Sequence, residues 1–577
     1  MTSDATDAPL RVTTLGVRYP ARPEPAVDGI TLSVEAGERV AVAGRTGAGK
    51  STLALAAAGF IPRVVRARLD GRVQIEGLDT ATAGPGALLG RVGIVFATPA
   101  NQLSASKLSV REELAFGLEN LGVPRAEMDA RIEATLGRLG IGHLADREPF
   151  ALSGGEQQRV AIASIVAMGT TVLVLDEPTA QLDPAGTRSV ADLLGELARA
   201  GTAILCVEHD PAMLGQMDRC LVLDRAHTVA FDWPGPALAA AAAGVGLDPP
   251  TLVRLAEAAG IDLAHAFDEA AVAAGLLARR SIPRTIDGHD DGGAPTDRPV
   301  AWTPSRERPP VRIVIDDLIY RYPTGIEAVR GVSLTIEPGS TMAILGQNGS
   351  GKTTLVKHLN GLLRPAEGRI LIDGEPTDGQ PIARLASTVG FVFQDPDEQL
   401  FERSVEREVA FGPRNLGIPA AQIGPLVAAS LAAVGLAEER TTNPYDLDLS
   451  RRKLVALAGV LAMNPAVLVL DEPTTGQDAD GIERVGAVID AMRSAGRTVV
   501  AITHDMEFAA ASFERIVVMR DGIVVADGPP AMVFSPSNTE LLASTGLTPP
   551  PTARIAARMG LAGVPLDVNG LLAALEP

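Results

Sequence analysis

Two kinds of apolar pattern alternate along the chain. In "ERVAVAG" (Glu38–Gly44), "TVLVLDE" (Thr171–Glu177) and "TAILCVE" (Thr202–Glu208) about four or five consecutive positions are apolar. Short runs that are apolar on both faces suit the interior strands of a parallel sheet, so they predict an α/β core. A stretch of helical character, "GKSTLALAAAG" (Gly49–Gly59), follows the first run across a glycine-rich loop. By contrast "LRVTTLGVRYP" (Leu10–Pro20) and "VRIVIDDLIYRYP" (Val311–Pro323) mix polar and apolar positions and predict antiparallel strands. The stretches Pro236–Arg280 and Pro530–Glu576 are rich in Ala and Leu at helical spacing and predict small helical subdomains.

The pattern occurs twice. "GRTGAGKST" (Gly44–Thr52) returns as "GQNGSGKTT" (Gly346–Thr354), "TVLVLDEPTAQLD" (Thr171–Asp183) as "AVLVLDEPTTGQD" (Ala466–Asp478), and "CVEHD" (Cys206–Asp210) as "AITHD" (Ala501–Asp505). The copies stay about 300 residues apart, which means tandem duplication of a unit too large for a solenoid repeat. Between the units, Ser281–Pro310 is rich in Pro, Gly, Asp and Arg without a period and reads as a flexible linker, with Trp302 inside it.

Composition narrows the partners. Hydrophobic residues are 46% of 577, ample for several cores, and the net charge is −19. An acidic balance disfavours a partner held by phosphate contacts, so no nucleic acid is expected. Cys206 and Cys220 lie in aliphatic surroundings and read as core thiols. The first residues, "MTSDATDAPLRV", are polar, and no window of about 18 apolar residues exists, so the expected location is cytosolic, without a membrane span.

The repeated loops carry the chemistry. GxxxxGK[ST] occurs with Gly44, Gly47, Gly49, Lys50 and Ser51, then with Gly346, Gly349, Gly351, Lys352 and Thr353; Thr52 and Thr354 complete the motifs. Each copy follows a strand and opens a helix, where backbone N–H groups curl around phosphate oxygens and the helix N-terminus adds positive charge. The lysines would reach the β- and γ-phosphates, and Ser51 and Thr353 would hold Mg²⁺. Asp176 and Asp471, at strand ends, suit a Mg²⁺-bound water, and Glu177 and Glu472 directly after them suit a group that polarises the attacking water.

With "LSGGEQQR" (Leu152–Arg159) lying between these motifs, the chain resembles the ATPase domains of ABC transporters almost end to end. The resemblance implies two tandem P-loop NTPase domains, each with an antiparallel β subdomain, a helical signature subdomain and a small C-terminal helical subdomain. The corresponding boundaries are 1–235 and 236–280, the linker 281–310, then 311–529 and 530–577. It also implies that Tyr19 and Tyr322 stack on adenine; a strand tyrosine facing solvent is the alternative. His209 and His504 match the switch histidines, Asp183 and Asp478 the D-loop aspartates, and Ser153, Gly154, Gly155 and Glu156 the signature turn. Gln394 matches the glutamine that senses Mg²⁺ and couples to the membrane partner. "VFQDPDEQLF", "EVAFGPRNLGIP" and the "GL..PP" tails resemble one branch, the energy-coupling factor (ECF) transporters. That likeness implies a peripheral ATPase at the cytoplasmic face of the membrane. It would energise import of a vitamin or transition-metal ion through a coupling subunit and a substrate-binding membrane subunit. A soluble tandem ATPase acting on ribosomes or nucleic acid is the alternative.

Two departures interrupt the repeat. Asp448, Leu449 and Ser450 stand opposite Ser153, Gly154 and Gly155, and Ala97 stands opposite Gln394. In the family, two units pair head to tail, with each ATP between one glycine loop and the other unit's signature. Site one would then combine Gly44–Ser51 with Leu447–Lys453 and Ala97, and site two would combine Gly346–Thr353 with Leu152–Arg159 and Gln394. Both departures fall in site one, so site two is expected to hydrolyse ATP and site one mainly to hold it. Arg451, Arg452 and Lys453 at the start of the altered helix read either as a solvated basic turn or as a charge clamp on ATP. A groove for a membrane-subunit helix is expected along Thr98–Gly117 and Asp395–Gly412, with Leu103, Val110, Phe116, Leu400, Phe401, Val405 and Phe411 as anchors.

Overall fold

The structure is a computed structural model that describes residues 8–20, 24–180, 182–245, 247–280 and 309–575. The linker, except its last two residues, and Trp302 lie outside the described residues. The chain divides into two compact units, Met1–Val272 and Ala273–Pro577.

In the first unit the apolar runs form a sheet in the order Val92–Val95, Val172–Asp176, Ala203–Val207, Arg39–Gly44, Arg219–Asp224 and His227–Asp232. The first five strands run parallel, and the last pairs antiparallel at the edge. The second unit repeats the order with Val389–Val392, Val467–Asp471, Thr498–Ile502, Thr341–Leu345, Arg515–Arg520 and Ile523–Gly528. The strand that feeds each glycine loop is therefore central, and the strand that ends in each Asp-Glu pair lies two places away. Both deliver their last residues to the same end of the sheet, where open parallel sheets bind ligands.

The mixed patterns form a second, antiparallel sheet in each unit. Leu10–Arg18 lies between Val27–Val34 and Arg68–Ile75, and Ile313–Arg321 between Glu327–Ile336 and Glu367–Ile372. In the first unit Leu10, Ile30, Val40, Leu53 and Val174 fill the space between this sheet, the glycine-loop helix Lys50–Ala57 and one face of the parallel sheet. Each such side chain contributes roughly 1.5–3 kcal/mol by leaving water. The helical insertion follows as Val110–Asn120, Arg125–Arg138 and Gly154–Ala167, then as Val405–Asn415, Ala420–Ala433 and Leu449–Ala462. In the second unit one continuous core joins Val409, Leu431 and Leu457 of these helices to Leu470 of the sheet and Val533 and Leu542 of the tail.

The tails are helical as expected, with Pro234–Val245, Thr251–Ala259 and Glu269–Arg280 in one copy and Thr539–Ser544, Pro551–Arg558 and Val568–Ala573 in the other. Cys206 and Cys220 are buried free thiols, and burial pushes Cys220 up to about 12. Among the described residues no helix is long and apolar enough to cross a membrane.

The groove expectation needs correction. Leu103, Val110, Leu400 and Val405 are core residues at 6% exposure or less, because they anchor the insertion to its own unit. Only Phe116, Phe401 and Phe411 of the seven are exposed; Phe401 and Phe411 touch edge to face, with ring centres 4.6 Å apart.

Candidate functional site

Each glycine loop is shaped by left-handed backbone. Gly44, Gly47 and Gly49 have φ of 138°, 80° and 100°, and Gly346, Gly349 and Gly351 have φ of 151°, 82° and 97°. At Gly49 and Gly351 a Cβ would stand 2.1 Å from the carbonyl oxygens of Ala26 and Ala328, so only glycine fits where the helix begins. Lys50 donates through Nζ to the carbonyls of Gly44 and Arg45 at 2.8 and 2.9 Å. Lys352 does the same with Gly346 and Gln347, both at 2.8 Å. The ammonium thus arches over the loop that would hold phosphate. Tyr19 and Tyr322 stand beside these helices, their hydroxyls 3.2 and 3.0 Å from the Thr52 and Thr354 hydroxyls. Tyr322 is also exposed at its rim and meets Tyr320 edge to face.

The acidic pair sits across from the loop. Ser51 donates to Asp176 at 3.1 Å and Thr353 to Asp471 at 3.4 Å, so each loop hydroxyl and strand-end carboxylate are side by side. Burial, and then repulsion from the adjacent glutamate, pushes Asp176 and Asp471 each up to about 6. Glu177 and Glu472 have φ of 52° and 50°, a conformation uncommon for a residue with a side chain, and it turns the chain sharply at the strand end. His209 Nε2 lies 3.3 Å from Glu177, and His504 Nδ1 lies 2.8 Å from Glu472.

The two glutamates differ in their surroundings. The Glu177 side chain is 24% exposed and that of Glu472 7%. Burial alone would raise Glu472, but His504, Lys352 and Lys453 outweigh it and hold the carboxyl below its ordinary range. Burial likewise acts to lower His504, and the Glu472 carboxylate reverses the sign and raises it. The second unit therefore holds a close Glu–His pair whose carboxyl is buried and whose imidazole is partly exposed.

A further carboxylate in the first unit escaped the sequence reading. Glu208 takes the place of Thr503, is 3% exposed, and accepts from the Thr179 hydroxyl and from the Thr179, His209 and Asp210 amides. Burial, then Asp210, pushes it up to about 7. "CVEHD" beside "AITHD" held the signal, since an acid ends an otherwise buried strand there.

The signature turns differ most. Ser153 caps the helix Gly154–Ala167 in a reciprocal arrangement. Its hydroxyl accepts from the Glu156 amide, and the Glu156 carboxylate accepts from the Ser153 amide and hydroxyl. Gly154 and Gly155 follow with bare backbone, neither fully buried. Asp448 caps Leu449–Ala462 alone, accepting from the Arg451 amide at 2.9 Å. Ser450 is buried, and its hydroxyl and carbonyl are bonded to the Gln477 side-chain amide at 2.6 and 3.2 Å. In the first unit that glutamine position is Leu182. Asp183 and Asp478 cap the next helices through the Gly186 and Gly481 amides.

The basic turn is not uniformly solvated: Arg451 is exposed, Arg452 half-buried and Lys453 buried. Arg451 bonds Glu439 at 2.9 Å, Arg452 bonds Asp397 at 2.6 Å, and Lys453 is buried with Nζ 3.1 Å from the Glu472 carbonyl. Arg451 and Arg452 pair with acids of neighbouring segments in their own unit, and Lys453 is turned inward to a backbone carbonyl.

Gln394 is exposed just beyond the strand Val389–Val392, and Ala97 occupies the matching place after Val92–Val95. A second glutamine, also missed in the sequence, shapes both of these loops. Gln102 and Gln399 accept from the Phe96 and Phe393 amides, each at 3.2 Å. Its trace was the repeated "QL" that closes both segments.

Known proteins resemble this chain along most of its length. The family profile described as ABC transporter matches residues 27–180 and 329–475. A protein of Methanosarcina acetivorans, provisionally named an ABC transporter ATP-binding protein, is 38% identical over 99% of this chain and 93% of its own length. A protein of Caldanaerobacter subterraneus with the same provisional name is 32% identical over 93% of each. A solved structure of cbiO1 from Clostridium perfringens, described as part of the ABC transporter complex cbiONQ, is 36% identical; the match covers 43% of this chain and 98% of that one, with a TM-score of 0.37.

Proposed function

We propose that this chain, which belongs to the ABC transporter family and is an ATPase, energises a membrane importer of the ECF type through one complete and one altered ATP site. The importer branch is supported by "VFQDPDEQLF" and the helical tails, and a peripheral place on the membrane through integral subunits follows from it. The exposed Phe116 and the Phe401–Phe411 pair supply apolar contacts for a cytosolic helix of such a subunit.

The observation that carries the asymmetric reading is the contrast between the open Ser153–Gly154–Gly155 turn and the filled Asp448–Leu449–Ser450 turn. In a head-to-tail pair, Gly346–Thr353, Glu472, His504 and Gln394 work with Leu152–Arg159. Backbone amides of Gly154 and Gly155 and the Ser153 hydroxyl then face the γ-phosphate. Preorganised donors of this kind stabilise the charge that develops in phosphoryl transfer. Glu472, kept ionised by His504, accepts the proton of the attacking water, and His504 steadies the γ-phosphate. Tyr19 and Tyr322 supply ring faces for adenine, and Asp183 and Asp478 hold the D-loops.

Each loop hydroxyl stands beside a strand-end carboxylate, at 3.1 and 3.4 Å, and such hard oxygen donors fit Mg²⁺. Thr353 with Asp471, Ser51 with Asp176, and Gln394 at the rim would hold it, and it would neutralise charge on the β- and γ-phosphate oxygens. In site one the Asp448 carboxylate adds negative charge where the signature should donate, so ATP is held there and turned over slowly.

The test compares Glu472→Gln with Glu177→Gln in the assembled transporter. The first removes most ATP turnover and the second leaves a substantial part. Equal losses would end the asymmetric reading.

A further inference from the structure

The altered signature helix does more than lose a phosphate contact. Its fifth residue, Lys453, is 6% exposed, yet it lies in the first two turns of a helix. A cation there opposes the helix dipole, and burial adds a desolvation cost. Its ammonium is directed inward and donates to the backbone carbonyl of Glu472 at 3.1 Å.

The first unit is arranged otherwise. Gln158 stands at the equivalent place, is 1% exposed, and its side-chain amide nitrogen has no hydrogen-bond partner among the described residues. The Glu177 carbonyl instead accepts from the Ala180 amide at 3.2 Å. In the second unit the signature helix reaches the glutamate.

We propose that Lys453 is a positioning residue for Glu472. The ammonium clamps the carbonyl at the left-handed turn where the strand Val467–Asp471 ends, and so fixes the direction of the carboxylate that must meet the attacking water. The neighbouring contacts support the clamp. Arg452 is tied to Asp397, and Ser450 to Gln477, so the helix start that carries Lys453 is held on two sides. The helix that no longer serves the partner site thus serves the site of its own unit. This rests on the reading of Glu472 as the group that accepts the water's proton.

The test uses the full chain and steady-state ATP turnover. Lys453→Met keeps the length of the side chain and removes the charge and the donor. It is expected to lower kcat roughly tenfold to a hundredfold, the scale of a small misplacement of a reacting group. KM for ATP and the melting temperature stay within about twofold and a degree or two. The loss is expected to multiply with that of Glu177→Gln and to vanish on a Glu472→Gln background, which ties it to one glutamate. Where Lys453→Met gives no folded protein, Lys453→Gln, the residue found at 158, carries the same comparison. Unchanged kcat, a loss shared equally by KM, or a further loss on the Glu472→Gln background would each overturn the proposal. If Glu472→Gln itself kept full turnover, the assignment of the base would fall instead, and the two failures are told apart.

Discussion

The turn before Gly154–Ala167 leaves its backbone bare, and the turn before Leu449–Ala462 is filled by side chains that bond within their own unit. Both helices are capped at the same position, one by Ser153 and one by Asp448, so the second has kept its fold while its outward donors were replaced. Helix capping needs only an oxygen at the N-cap, whereas phosphate recognition needs bare amides and no competing negative charge. The comparison separates these two demands, which a single signature meets together.

The largest effect is expected from copying one turn onto the other. Ser153→Asp with Gly154→Leu should lower ATP turnover by roughly 10²–10³, because it removes donors to the transition state while Asp preserves the cap. Turnover close to the parent's would show that the bare turn is dispensable. A second, smaller effect concerns binding. Lys50→Ala should weaken ATP binding in site one and leave site two competent, read as the loss of one of two classes in a fluorescent-nucleotide titration; a single class unaffected by the substitution would break the comparison.

Stability sharpens it further. Gln477→Leu installs the residue of the first unit at 182 and leaves the buried Ser450 hydroxyl without its partner. A cost of about 1–3 kcal/mol in denaturant unfolding is expected. The smallest effect is a pH dependence confined to the first unit. Glu208 is raised in the folded chain from 4.5 to about 7, so its stabilising contribution is complete below 4.5 and is lost as pH rises toward 7. Glu208→Thr, copying Thr503, should reduce the pH dependence of that unit's melting temperature across this window and leave the part that comes from Asp176.

Much of this was legible in the sequence. Runs such as "TVLVLDE" and "ERVAVAG" named the central strands because burial on both faces leaves no polar positions, and the glycine loops announced their φ values by composition. The side-chain partners were not legible. Arg451, Arg452 and Lys453 are three cations in a row, and nothing in a row of cations says that one is buried against Glu472 while the others meet Glu439 and Asp397, up to 55 residues away. The groove anchors failed for a related reason. Val110 and Phe116 occur in one amphipathic helix, but only packing decides that the first is sealed and the second exposed.

The Ser450–Gln477 pair also bears on history. Replacing Ser450 by glycine alone would take the hydroxyl donor from the buried Gln477 Oε1, and replacing Gln477 by leucine alone would strand a buried hydroxyl at 450, each roughly a 1–3 kcal/mol setback. A lineage stepping one substitution at a time would cross a valley in either order. Once a duplicated gene had acquired both residues, the divergence of its halves became self-protecting, and selection for a second working signature would meet resistance from the core before it met any from the nucleotide.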